Sequence, residues 1–230
     1  MTDFFKFETV KEDIPFYNGE PKLSKIAWAS LILGLVIYYL LIRDIIYTDD
    51  ALVFAFATTL VVLIPFVFAF RGHYSRFFKR IHKRDIKPII LYTIAGLIYS
   101  LAMAFLFEGL GLKAIGVEEM FIGFLMFIRL VVQLLGEELF KIIILIIVMY
   151  LIYKLTNDRK RTIIIASIIT MIVFGGCHQG EAGSLLRVIV VQGFGSIFDI
   201  LIYLKTKNVF ASYATHLLFD IVPDLMGLIF

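Results

Sequence analysis

Leu, Ile, Val, Phe, Ala and Met run almost unbroken through residues 26–42, 51–70, 89–107, 120–152, 163–174, 185–204 and 209–230, and polar residues gather between these runs. Several of the runs reach the ~17–25 residues that a helix needs to cross a bilayer. Inside lipid, each backbone N–H and C=O must be paired within its own segment, so single apolar runs predict helices. The pattern therefore predicts an all-α polytopic transmembrane bundle of about seven spans, a multi-pass protein of the cell membrane.

The polar segments orient the bundle. Residues 71–87, 154–161 and 205–207 are basic, whereas 43–50 and 108–119 are net acidic. Lys and Arg beside span ends remain on the cytoplasmic side, so the three basic segments are expected inside. Run 120–152 is long enough to be ambiguous, but two crossings there would put 154–161 and 205–207 outside. A single crossing, preceded by an interfacial or tilted piece ending near Arg129, keeps all three basic loops inside. The N-terminus is then cytoplasmic and the C-terminus outside. The expected organisation is a cytoplasmic segment at 1–25, three helices with a basic loop over 26–118, and a C-terminal helical core over 119–230.

Composition agrees with a bilayer. The 230 residues are 60% hydrophobic and 18% charged, and segment 1–25 has no apolar core followed by a small-residue cleavage pattern, so the first span is read as an anchor. The net charge of +3 is what cytoplasmic loops supply; it sets topology, can touch anionic lipid, and indicates no nucleic-acid partner. The single cysteine, Cys177, has no partner for an intramolecular disulfide.

Against this background the ionisable residues within apolar runs stand out: Arg129, Glu137, Glu138, Lys141, His178, Asp199, His216 and Asp220. Each costs roughly 2.5–3.5 kcal/mol or more at membrane depth, so such groups face a bundle interior or a watery cavity and mark function by default. Glu137 and Glu138 are neighbours, about 100° apart on a helix, and cannot serve one atom from the same face. One can act chemically while the other supports it. Glu137 and Lys141 are spaced i, i+4 in the favourable order, which offers a plain ion pair and leaves Glu138 without a partner. His178 follows Gly175 and Gly176, which permit close helix approach or a local break; a satisfied histidine at a span end is the bland alternative. His216 and Asp220 stack on one helix face, as suits a tautomer-fixing carboxylate, two metal ligands or a self-satisfied pair. Gln192, Ser196 and Asp199 form a polar stripe read as mainly structural. Cys177 and His178 diverge as helical neighbours, so Cys177 is taken as packing and not as a nucleophile.

Carboxylates on one span, a histidine on the next and a histidine with a carboxyl residue on the last supply a general base with polar stabilisers, as hydrolysis within a bilayer requires. Glu137-Glu138, Phe174-x-x-x-His178 and His216-x-x-x-Asp220, in this order on three apolar segments, resemble the signatures of the CPBP family of intramembrane proteases, also called Abi or CAAX-protease-like. The resemblance covers roughly 120–230. It implies an intramembrane endopeptidase acting on a hydrophobic peptide or membrane-anchored protein substrate. Glu137 would activate water with His178, Glu138 would support, and His216 and Asp220 would bind the developing oxyanion. It leaves open a divalent metal such as zinc, held by candidates among Glu137, His178, His216 and Asp220, because the family is often called a metalloprotease; a metal-free glutamate–histidine mechanism is equally compatible. Non-catalytic members, such as scaffolds or bacteriocin self-immunity proteins, are the alternative. The sequence departs from the family twice: Ile142 stands where arginine is expected, with Lys141 one residue early, and Asp220 replaces the asparagine of the CAAX-processing branch. An ionised aspartate cannot donate a hydrogen bond, so the departure points away from a true prenyl-CAAX processor. No HExxH, GxGD or GxSG motif occurs, so other intramembrane protease chemistries are not indicated.

Overall fold

The computed structural model describes residues 21–43, 50–111, 124–179 and 184–229. The expected cytoplasmic segment 1–25 and the acidic loops 43–50 and 108–119 lie largely outside the described residues. The remainder is helical: α1 (Lys25–Ile42), α2 (Ala51–Ala69), a 3₁₀ turn at Tyr74–Arg76, α3 (Lys83–Gly109), α4 (Phe124–Thr156), α5 (Arg159–Cys177), a short α6 (Leu185–Val188) running into a π-helical segment (Ile189–Gly193), α7 (Ile197–Thr206) and α8 (Val209–Ile229). Six helical stretches among the described residues are long and apolar enough to cross a membrane, the sixth being Leu185–Thr206, and α8 adds a further apolar helix. The chain is a multi-pass membrane protein.

Local chemistry sets the helix starts. The side chains of Ser24, Asp50 and Asp158 accept from backbone N–H groups in the first turns of α1, α2 and α5, satisfying donors that no preceding turn can reach. Lys207, in the left-handed region at φ 49°, ends α7. The α7–α8 corner is then tied to the α2–α3 loop, since Asn208 donates to the Lys79 carbonyl at 2.9 Å and accepts from its N–H at 3.0 Å.

Run 120–152 forms one helix from Phe124 onward, continuous through Arg129, so the separate piece expected to end there does not form. At 33 residues, α4 is about 50 Å long at 1.5 Å per residue. It is the axis of the bundle, packing against α1, α2, α5 and α8, whereas α3 packs on α7 and α8. Half of the apolar window of α4 is buried against protein and only 17% of that of α3, so α3 is mainly a lipid-facing helix.

Hydrophobicity does not drive helices together in lipid; close packing and polar bonds between helices do. Two sites illustrate this. A Cβ on Gly136 would stand 2.8 Å from Thr59 Oγ1 and 3.0 Å from Thr59 Cα, so only glycine allows the α2–α4 crossing, which Thr59 reinforces by donating to the Val132 carbonyl at 2.7 Å. A Cβ on Gly175 would meet Ile189 Cα at 2.8 Å and Gly193 Cα at 2.9 Å. Here α5 presses on the π-helical segment. The sixth span, expected as one regular helix, is thus divided, and its polar stripe does not follow simple α spacing.

Candidate active site

α4 presents its acidic pair in two directions. Glu137 and Glu138 are 7% and 1% exposed. Glu137 lines a cavity of about 500 Å³ enclosed by α3, α4, α5, the π segment and its continuation, and α8. Its Oε1 accepts from Gln133 Nε2, one turn earlier, at 3.0 Å. Glu138 points between α7 and α8, where Lys141 Nζ pairs with it across one turn.

Lys141 is the pivot of this second cluster. Its Nζ also donates to Asp199 Oδ2 at 2.7 Å and stands 4.7 Å from the Phe174 ring centroid. The ion pair Glu137–Lys141 suggested by their spacing does not form. The reason lies in tertiary structure: α7 brings Asp199 to the Glu138 side of α4, so the ammonium turns there, and Glu138 gains the partners that spacing alone denied it. Ser212 of α8 adds its hydroxyl, 2.6 Å from Glu138 Oε2 and 2.8 Å from the Asp199 carbonyl. It carries one proton, and the carboxylate is the stronger acceptor.

His216 joins the cluster to the cavity. Its Nδ1 lies 2.9 Å from Glu138 Oε1, while Nε2 faces the cavity, 3.8 Å from Asp220 Oδ2 and 4.0 Å from Glu137 Oε2. Nδ1 thus lies against Glu138, with Lys141 Nζ 3.4 Å from the same nitrogen, while Nε2 has neither outer carboxylate within hydrogen-bond distance. His178, at the end of α5, has Nδ1 3.0 Å from the Phe174 carbonyl and its ring against Phe174 at 4.7 Å. That leaves its Nε2 for the cavity. Glu137, His178, His216 and Asp220 all line this one cavity, with Arg129, Gln133, Gln192, Ser196 and Asp199. Glu138 stands behind His216 and outside the cavity wall. Cys177 packs beside the core and outside the main cavity.

Carboxylates and imidazoles are suitable donors for a metal such as zinc. Among the described residues, the ligand atoms that lie within 4.8 Å of one another belong to Glu138, Asp199 and His216, which share only His216 with the set suggested by sequence. The position central to them is taken by the Lys141 ammonium, bonded to both carboxylates. A divalent cation would have to displace a buried positive charge, so this set does not fit a metal. Glu137 and Asp220 flank His216 Nε2 at 4.0 and 3.8 Å, a spacing at which either could share a metal with the imidazole, but among the described residues no three of Glu137, His178, His216 and Asp220 bring their ligand atoms within 4.8 Å of one another.

Residues 114–222 match the family described as type II CAAX prenyl endopeptidase, Rce1-like. Over this stretch the chain is similar to the CAAX-protease-like family. The matched stretch contains all of Glu137, Glu138, His178, His216 and Asp220, together with Lys141, Asp199 and Ser212. No curated protein and no solved structure matches the chain.

Two residues of the matched stretch, Ser212 and Gln133, carried i, i+4 signals beyond the site residues expected from sequence, and a third, Asp199, was expected to be mainly structural. Ser212 precedes His216 by four, extending the His216–Asp220 face by a turn. Gln133 precedes Glu137 by four in the same way. Asp199 stood in the polar stripe, but only the packing of α7 on α8 makes it a partner of Lys141.

Proposed function

We propose that the chain is an intramembrane endopeptidase that hydrolyses a peptide bond in a hydrophobic or membrane-anchored peptide. The observation that carries this reading is the Glu137 carboxylate, placed with two histidines on a polar-walled cavity inside a transmembrane bundle. In the proposed reaction Glu137 takes a proton from a water held with His178, and the hydroxide adds to the scissile carbonyl. His216 acts as imidazolium: Nδ1–H is given to Glu138 and Nε2–H to the oxyanion, which converts a mobile ring into a fixed donor. Collapse of the tetrahedral intermediate breaks the C–N bond, and Glu137 returns its proton to the leaving amine. Asp220, 3.8 Å from Nε2, offsets the imidazolium charge from the cavity side. All charges used belong to the chain, and no step passes through a metal.

The second reading is a non-catalytic member of the family, such as a scaffold or bacteriocin self-immunity protein. Its support is that Glu138, Lys141, Asp199 and Ser212 join three helices whether or not turnover occurs. Glu137→Gln separates the two. It preserves shape and the Gln133 contact but removes the base, and a positioned general base contributes about 10²–10⁴-fold. Purified protein in nanodiscs is assayed with fluorogenic hydrophobic peptides, prenylated and unprenylated. Loss on that scale at unchanged thermal stability is expected; retained turnover ends the glutamate mechanism.

A further inference from the structure

A second cavity, of about 90 Å³, lies on the other side of Glu137, lined by Tyr38 and Ile42 of α1, Phe54 and Thr58 of α2, Gln133, Phe174 and Cys177 as well as Glu137 and His178. Four of these residues, Gln133, Glu137, Phe174 and His178, also line the main cavity. Glu137 and His178 therefore form a wall between two chambers.

The small chamber cannot hold a peptide. At about 30 Å³ of liquid volume per water it holds roughly three water molecules. Five of its lining residues, Tyr38, Thr58, Gln133, Glu137 and His178, bear polar side-chain groups, and a buried water requires two to four polar partners. Thr58 donates its only hydroxyl proton to α2's own carbonyls, 2.9 Å from that of Phe54 and 3.1 Å from that of Ala55, which leaves its lone pairs as acceptors. Hydrolysis also poses a supply problem: a substrate filling the main cavity excludes water from the face of Glu137 that it covers.

We propose that the small chamber between α1, α2, α4 and α5 is a water-binding site that supplies the nucleophile to Glu137 and His178 from the side opposite the substrate. The inference rests on the hydrolase reading for its purpose, but the chamber's hydration is testable without turnover. It gives α1 and α2, which lie outside the matched family segment, a part in the site.

Cys177, the chain's one cysteine, lines the small chamber and serves as a reporter. Purified protein in nanodiscs is exposed to brief X-ray pulses, which generate hydroxyl radicals from water already in place, and oxidation of Cys177 is followed by mass spectrometry. The chamber predicts that Cys177 reacts, that Thr58→Leu, which fills the space, slows modification several-fold, and that Phe54→Ala, which widens it, speeds modification. Failure of Cys177 to react, or equal rates in both variants, overturns the proposal. On the fluorogenic peptides, Thr58→Leu is expected to lower kcat with KM unchanged, since it removes water and not substrate contacts; a rise in KM alone would place the chamber in the substrate path and overturn the proposal. If Glu137→Gln retains turnover while Cys177 labels as expected, the hydrolase reading falls and the hydrated chamber stands. If Glu137→Gln is inactive and Cys177 is inert, the reverse holds.

Discussion

Lys141→Met keeps an unbranched stem of similar length and removes the ammonium. Lys141 is 2% exposed and pairs with Glu138 and Asp199, so the substitution leaves two buried carboxylates facing each other. Breaking a buried ion pair by removing one partner costs about 3–5 kcal/mol, which for a chain of this length corresponds to a fall in Tm of roughly 6–20 °C at 2–4 °C per kcal/mol. Equilibrium unfolding in mixed micelles with rising SDS fraction measures the cost. The structure further specifies its origin: adding Asp199→Asn removes one of the stranded charges and is expected to recover part of the loss, whereas adding Glu137→Gln recovers little. A double-mutant cycle reads the two couplings separately. Coupling to Glu137 larger than coupling to Asp199, or a cost of Lys141→Met below about 1 kcal/mol, the range of an exposed pair, would refute the buried cluster.

Ser212→Ala is expected to destabilise by about 1–3 kcal/mol, the penalty of leaving the buried Glu138 oxygen without its donor, as read by the same unfolding assay. His216→Ala is expected to abolish cleavage of the fluorogenic peptides while the protein still accumulates in the membrane; Asp220→Asn is expected to reduce it only mildly, since the amide keeps the size and polarity of the side chain beside Nε2 and can itself donate to an oxyanion, and strong inactivation would favour a carboxylate-specific role. For topology, single cysteines at Ser75 and Asn157 in a Cys177→Ala background are expected to label from the same, cytoplasmic side, as one α4 crossing requires; opposite labelling would overturn the orientation.

How much of this was legible in sequence depends on which force decided each feature. The spans were legible because a bilayer leaves an apolar run one way to satisfy its backbone, and the single crossing at 124–156 followed from keeping the basic segments on one side. The π segment at Ile189–Gly193 was not: its residues differ little in α and π preference, and the deciding contact is Gly175 of α5 against Gly193, a tertiary fact. The same limit explains Lys141. Its i−4 and i−3 neighbours, Glu137 and Glu138, are equally available from the helix alone, and the choice falls to Asp199, 58 residues away. Alternating partners on adjacent glutamates then gives each a separate environment: Glu138 is held by an ammonium, an imidazole and a hydroxyl, while Glu137 has one amide donor and two chambers. A carboxylate tied that firmly is a poor base, and one so lightly tied has lone pairs left for water. In the proposed mechanism the adjacency of the two glutamates lets a single helix carry both a fixed anchor for His216 and a free base, and the one-residue displacement of the cation to Lys141 keeps that cation on the anchor's side.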